Sequence, residues 1–416
     1  MLNSKELLKE TSEFKQPKKI PIDLGGSPAT SIAAVAYAKL LKYLCINDET
    51  PHLYDFMQQL SYPKEKIRNL FNVNILDINQ LFMNSESDWR EFVIPFNGTR
   101  CLIPKYWDEL FDIEKDKNET VFLKHKDGTI LGKMPKTSTV VDQTFWPFAD
   151  FKKIPEKIDA DLLEKHLWNV PQPLTIIKKF QGKNNNYIIN KLKTFYKTSN
   201  YALMFPFGGN LFDIGFAIRR MDSFLIDLFN DRKGVERLIN HILENHMRSL
   251  EEILRIYGQY IDVILFYDDL SYQTGLFLPP DLYRKMIKPL HKRMWDYIHD
   301  YSNCKVCFHC CGAIYELIPD LIEAGIDFLN PVQISASGME PKKLKKEFGK
   351  YISFWGGSCD PRTLTTKTPK EVKEEVKRNV EIFSRNGGYV FSSIHNITSE
   401  VNPENVVAMF EAVNEF

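Results

Sequence analysis

Short apolar runs alternate with amphipathic segments through the second half of the chain. Runs at 263–267, 305–309, 326–329, 351–355 and 389–394 each read as a buried strand. The segments between them carry helix signals. AIYELIPDLIEAG spaces its apolar residues at helical intervals and stops at Gly325, and EPKKLKKEFG follows the next run. Thr368-Pro369 offers a cap and a first-turn proline for a further helix, and PENVVAMFEAVNEF ends the chain as the last one. Repeated strand–helix units demand parallel strands with helices outside, because each crossover must return the chain to the same end of the sheet. A barrel and a doubly wound sheet both satisfy that demand.

Earlier runs at 20–24, 73–78 and 202–207 bring the candidate strands to eight. A Pro-rich, aromatic stretch at about 90–160 contains KHKDGTILGKM, which reads as a hairpin turning at Asp127-Gly128. It is expected to be an insertion on one domain spanning 1–416, with an N-terminal extension before the first strand. Trp89, Trp107, Trp146 and Phe148 would either wall an apolar pocket or pack as core.

Polar residues gather where these strands end. Asp268 and Asp269 follow the fourth candidate, His309 and Cys311 the fifth, Asn330 and Gln333 the sixth, Cys359 and Asp360 the seventh, and His395 and Asn396 the eighth. In a β/α barrel those positions form the active face. Side chains two apart on a strand share a face, so His309 and Cys311 point together, Cys307 lies one step deeper, and Cys310 points outward. The same rule groups Tyr389, Phe391, Ser393 and His395. An imidazole and a thiol on one face, joined by a third N or S donor, would hold a catalytic zinc with one open position. A satisfied core pair is the competing reading of His309 and Cys311. For Asp268-Asp269 the alternatives are a loop start that caps the next helix and a carboxylate that holds a cation or moves a proton.

Charge narrows the partners. Lys plus Arg and Asp plus Glu number 54 each, so no net field draws the chain to nucleic acid or an anionic membrane. The start lacks the apolar run of a secretory signal and no uncharged span is long enough to cross a bilayer, which predicts a cytoplasmic protein. Four of the seven cysteines crowd into 304–311, where mutual disulfides would be awkward, and this also fits a reducing compartment.

GNLFDIGFAIRRMDSFLIDLF, YDDLSYQTGLFLPPDLYRKMIKPLHKRM, FHCCGAIYELIPDLIEAGIDFLNPVQ, FWGGSCD and SSIHNITSEVNPENV resemble, in order and spacing, the uroporphyrinogen decarboxylase-like superfamily, most closely its methyltransferase-related branch. The resemblance implies a (β/α)8 barrel. It also implies zinc held by a His-x-Cys pair, here His309 and Cys311, with a third ligand near the eighth strand, where this chain carries His395 in place of the branch's Cys. The decarboxylase branch has an arginine-rich block after its first strand. This chain has IDLGGSPATS there.

The implied activity is transfer of a methyl group from a small methylated donor, such as a methoxylated aromatic, to a corrinoid. The chain has no Asp-x-His-x-x-Gly corrinoid motif, so the corrinoid would arrive on a partner protein docking at the barrel mouth. Asp268 and Asp269 are expected to serve catalysis, Asp269 by giving a proton to the leaving group. Gln273, Asn330, Gln333 and Asn210 are expected to bind substrate. A metal-free decarboxylase of tetrapyrroles is the second enzymatic reading, and a corrinoid-protein binding module without chemistry is the third.

Overall fold

The computed structural model describes residues 3–16, 18–83, 85–158 and 185–416. Seven parallel strands lie in the order Tyr389–Val390, Ser353–Trp355, Phe328–Asn330, Lys305–His309, Val263–Tyr267, Ala202–Gly208, Ile75–Asp77. The eighth run, 20–24, bridges the two outer strands. Asp23 N donates to Phe391 O at 2.8 Å, Phe391 N to Pro21 O at 2.8 Å, and Asn74 N to Ile22 O at 2.7 Å. The sheet thereby curls shut into a (β/α)8 barrel. Pro21 has no N–H to give a ladder, and this segment makes a single bridge where a longer strand was expected.

Alternation sorts the side chains. Ile75, Ala202, Met204, Val263, Leu265, Tyr267, Cys307, Phe328, Trp355 and Val390 meet inside the barrel. Leu76, Leu203, Ile264, Phe266, Val306, Phe308, Cys310, Leu329 and Phe354 pack outward with the helices. The interior is therefore filled by side chains and offers room only at its ends. Below, the N-terminal helix Ser4–Ser12 starts in a reciprocal Asn3–Glu6 capping box. It plugs the barrel floor: Leu8 joins the interior cluster, and Ser353 Oγ donates to Thr11 O at 3.1 Å.

The eighth strand departs from the expected 389–394. Regular pairing ends at Val390, and Tyr389 and Phe391 pack outward beside Phe383 and Phe410. They do not share a face with His395, because the chain bends after Phe391 and brings His395 inward from a loop.

Above the mouth lies a small antiparallel sheet, Ile32–Ala33, Leu60–Ser61 and Leu53–Asp55, which no apolar run announced. Ala33 N donates to Ile397 O at 2.8 Å and Ile397 N to Ser31 O at 2.9 Å, tying this sheet to the loop that carries His395. Next come a hairpin, Trp89–Val93 with Arg100–Pro104, and a four-stranded meander from Phe111–Lys115 to Asp142–Gln143. The meander turns at Asp127-Gly128, where Gly128 has φ +90°, the left-handed region that glycine enters freely. Phe56, Ile103, Trp107, Phe111, Leu123 and Met134 give this part its own core. Trp89 and Trp107 are buried in packing, Phe148 lies in the main core, and Trp146 stands under the Arg220 guanidinium. Residues 159–160, the end of the expected insertion, lie outside the described residues. No described helix is long and apolar enough to cross a membrane.

Candidate metal centre at the barrel mouth

His309 ends its strand pointing inward, and the loop after it is pinned on both sides. Asp268 N donates to His309 O at 3.1 Å and Cys310 N to Asn330 O at 2.9 Å. Cys311 N donates to Asp269 Oδ1 at 2.8 Å, and Gly312 N donates to Gln333 Oε1 at 2.7 Å. Gly312 has φ +93°, and a Cβ there would stand 2.6 Å from Tyr272 O. Only glycine lets the chain reverse this tightly behind Cys311.

The reversal turns Cys311 Sγ toward His309 Nε2, 3.3 Å away. His395 joins them, and ligand atoms of all three lie within 4.8 Å of one another. Behind His309, Nδ1 meets Asn330 Oδ1 at 2.6 Å, while Asn330 Nδ2 donates to Trp355 O at 3.3 Å. The second contact fixes the Asn330 amide with its oxygen toward the imidazole, so Nδ1 carries the proton and the Nε2 lone pair faces Cys311. Burial lowers His309 below its usual range, opposed by Asp269 and the Asn330 contact. Burial, then His309, lowers His395 to about 4. Both rings are thus neutral donors at physiological pH.

These residues suit zinc. Bond lengths of about 2.0 and 2.3 Å at a tetrahedral angle would set a nitrogen and a sulfur ligand roughly 3.5 Å apart. The pair is already close to that spacing. Two nitrogens and one sulfur leave a fourth position for substrate. Burial, then Asp269, pushes the Cys311 thiol well above its ordinary range, and a dication in its place would favour the thiolate.

The adjacent acids divide their work. Asp268 is fully buried and takes N–H bonds from Phe212 at 2.9 Å and Asp213 at 2.8 Å, with His291 Nε2 at 3.0 Å. Burial raises Asp268 to about 7 and lowers His291 to about 3. It braces the 210–213 loop. Asp269 faces the trio, and its charge acts on His309, His395 and Cys311. Asp213, which sequence reasoning passed over, accepts from Asn210 Nδ2 at 2.7 Å and Asp269 N at 3.2 Å. Burial, then Asp268 and Asp269, raises it well above the carboxylate range.

The remaining expected site residues are dispersed. Asn210 is buried, with Oδ1 lacking a partner among the described residues. Asn330 and Gln333 spend their side chains on His309 and Gly312. Gln273 is exposed at the turn of a hairpin, its carbonyl accepting from Ser337 N at 3.0 Å. Cys359 is buried, Asp360 caps the helix Pro361–Thr366, and Asn396 Nδ2 donates to Gln58 Oε1 at 2.6 Å. Cys304, Cys307 and Cys310 point to different surroundings and make no shared site: Cys304 Sγ donates to Gly258 O and Ile261 O, Cys307 fills the barrel and Cys310 packs outside it.

A second polar group lies across the mouth, unmarked by any motif. Asp23 and Asp77 are inward residues, each flanked by outward neighbours, and Tyr267 sits beside His309 with ring centroids 5.1 Å apart. Tyr54 and Tyr62, from the small covering sheet, stack at 3.7 Å. Burial raises Asp23 to about 7 and Asp77 to about 8. Their position at strand ends was the available signal, weakened by the lack of a second polar residue beside either.

Comparison with known proteins bears on the fold that carries this site. The family described as "Uroporphyrinogen decarboxylase (URO-D)" matches residues 214–416. Uroporphyrinogen decarboxylase of Methylococcus capsulatus is 40% identical over 60 residues, 14% of this chain and 17% of that protein. The enzyme of Vesicomyosocius okutanii subsp. Calyptogena okutanii is 33% identical over 78 residues, 19% of this chain and 22% of its own length. The aligned stretches thus span about a fifth of these relatives or less. A solved methyltransferase from Methanosarcina mazei shares the fold with a TM-score of 0.58 at 15% identity, over 100% of this chain and 99% of that one. The second half of the chain, residues 214–416, is thus similar to the uroporphyrinogen decarboxylase family, and the fold is shared with that methyltransferase along the whole chain.

Proposed function

We propose that the chain is a zinc-dependent methyltransferase, which takes a methyl group from a small methylated donor, such as a methoxylated aromatic, and passes it to a corrinoid carried by a partner protein. The observation that carries this reading is the His309–Cys311–His395 trio, with Asn330 turning His309 Nε2 toward the thiol. Zinc, when bound there, supplies a Lewis acid for the heteroatom that loses its methyl group.

The chain's own residues do the rest. Asn210, whose buried Oδ1 is open, orients the donor, whereas Asn330 and Gln333 act through His309 and Gly312. Asp268 acts through the 210–213 loop. Asp269, held on Cys311 N by one oxygen, gives a proton to the departing alkoxide or thiolate. The methyl group leaves without its bonding electrons, reduced cobalt supplies the new pair, and the leaving atom keeps the old pair and takes the proton. The partner would dock over the mouth.

The mouth suits this substrate class better than a tetrapyrrole with many carboxylates. Asp23, Asp77, Asp213, Asp268 and Asp269 are gathered there, and among the described residues none of the five pairs with a Lys or Arg. The test is methyl transfer from a panel of aromatic methyl ethers to reduced corrinoid, followed by the corrinoid spectrum. Zinc-dependent transfer that is lost in His309→Ala and Cys311→Ala is expected. Uroporphyrinogen turnover by zinc-free protein would overturn the proposal, and transfer unchanged in the double variant would contradict the placing of the site.

A further inference from the structure

Across the mouth from the metal trio, two buried acids stand without a counter-ion among the described residues. Asp23 has both oxygens occupied, Oδ1 by Gly26 N at 2.8 Å and Oδ2 by Trp355 Nε1 at 2.9 Å. Asp77 differs. Its Oδ1 takes Asn79 N and Nδ2, both at 2.8 Å, but Oδ2 has only the Tyr62 hydroxyl at 3.5 Å. That is too long for a strong bond to a buried carboxylate oxygen. Asp77 is 1% exposed, and among the described residues no Lys, Arg or His forms an ion pair with it.

Three phenols lie near this carboxyl group. Tyr54 and Tyr62 stack with planes only 2° apart, presenting a broad aromatic face. Tyr267, nine-tenths buried, lies between the acids and His309: its hydroxyl responds to both Asp77 and Asp23, while its ring packs on the imidazole. The Tyr54 hydroxyl lies near Ser31 and the Tyr267 hydroxyl near Ser27, but neither reaches hydrogen-bond geometry with a described residue. Buried polar atoms are seldom left so. An unpaired carboxylate oxygen, aromatic faces and open hydroxyls together favour a ligand with positive charge and N–H groups.

We infer that Asp77, Tyr54, Tyr62 and Tyr267 form a second subsite that takes the ammonium end of the methyl donor, so that the preferred donor is an aminated methyl ether or thioether and not a carboxylated one. That the cation belongs to a methyl donor rests on the proposed function; the subsite itself does not. Tyr267 packs on His309 and lies close enough to Asp77 to feel its charge, which places the charged end beside the methylated heteroatom's site. Burial without a partner is what lifts Asp77 to about 8, and a bound ammonium removes that cost.

Three ligands with one ring and one methoxy group separate the charge from the shape: 4-methoxybenzylammonium, 4-methoxybenzyl alcohol and 4-methoxybenzoate. Calorimetric titration into chelator-treated protein reads the subsite without the metal. The ammonium is expected to bind at least about tenfold tighter than the alcohol, with the benzoate weakest. Asp77→Asn should lower ammonium affinity about tenfold and leave the alcohol unchanged, with zinc uptake by the variant showing an intact fold. Equal binding of alcohol or benzoate, undiminished ammonium affinity in Asp77→Asn, or no binding of any of the three would overturn the inference. Methyl transfer from the same ligands in zinc-loaded protein separates the two ideas: selective ammonium binding without transfer overturns only the function, and transfer preferring the benzoate overturns only the subsite.

Discussion

Asn330 shows how much a residue can matter without touching a reacting atom. Its amide is clamped between Trp355 O and His309 Nδ1, so Asn330→Ala should weaken zinc binding about 10–100-fold, whereas Asn330→Asp, which keeps an acceptor at the imidazole, should retain most of it. Competition with a chromophoric chelator reads both. Asp268 belongs to a different class. Asp268→Ala leaves the N–H groups of Phe212 and Asp213 and the His291 ring without a partner. A loss of roughly 3–5 kcal/mol in denaturant unfolding is expected. At this scale His309 and Cys311 were legible because strand alternation links them and two reactive residues reinforce each other. Asp77 stands alone in an apolar run and Tyr267 ends one, and only closure of the barrel sets them beside Tyr54 and Tyr62.

Elements with strong local signals formed where the sequence put them. Gly325 ends its helix in the left-handed region, and Thr368 starts another through a capping box with Glu371. The eighth strand and the covering sheet were harder to read. Tyr389 and Phe391 answer to the outer helices, and strands of two or three residues, such as Ile32–Ala33, carry too few positions for a period. Turn geometry at Gly312 gives a prediction with an internal control. Gly128 and Gly312 both have positive φ, but an added Cβ meets nothing at Gly128 and Tyr272 O at Gly312. Gly128→Ala should cost about 1 kcal/mol or slightly more from backbone strain. Gly312→Ala should cost more and also weaken zinc binding, because it displaces Cys311; thermal unfolding together with the chelator competition distinguishes the two.

For the whole molecule, buried titratable groups set a stability profile with two flanks. Asp23 and Asp77, raised to about 7 and 8, give stability that is complete below about 4 and lost as pH climbs through those values. His246, lowered by burial to about 4, gives stability present above about 6.5 and lost as pH falls. Asp77→Asn should therefore raise the Tm of the zinc-free protein at about pH 9 while changing it little at about pH 5. A variant Tm no higher than wild type at about pH 9 would contradict this. A parallel α/β fold was legible as eight strand positions and five polar strand ends, because parallel strands with helical returns leave few architectures, and the resemblance chose the barrel over the doubly wound sheet. The central claim concerns the metal, and the most direct test is zinc content combined with X-ray absorption on purified protein. About one zinc per chain with one sulfur and two nitrogen ligands from the protein is predicted, falling below about a tenth in Cys311→Ala; full-length folded protein that takes up no stoichiometric zinc, or zinc that survives loss of both His309 and Cys311, would contradict it.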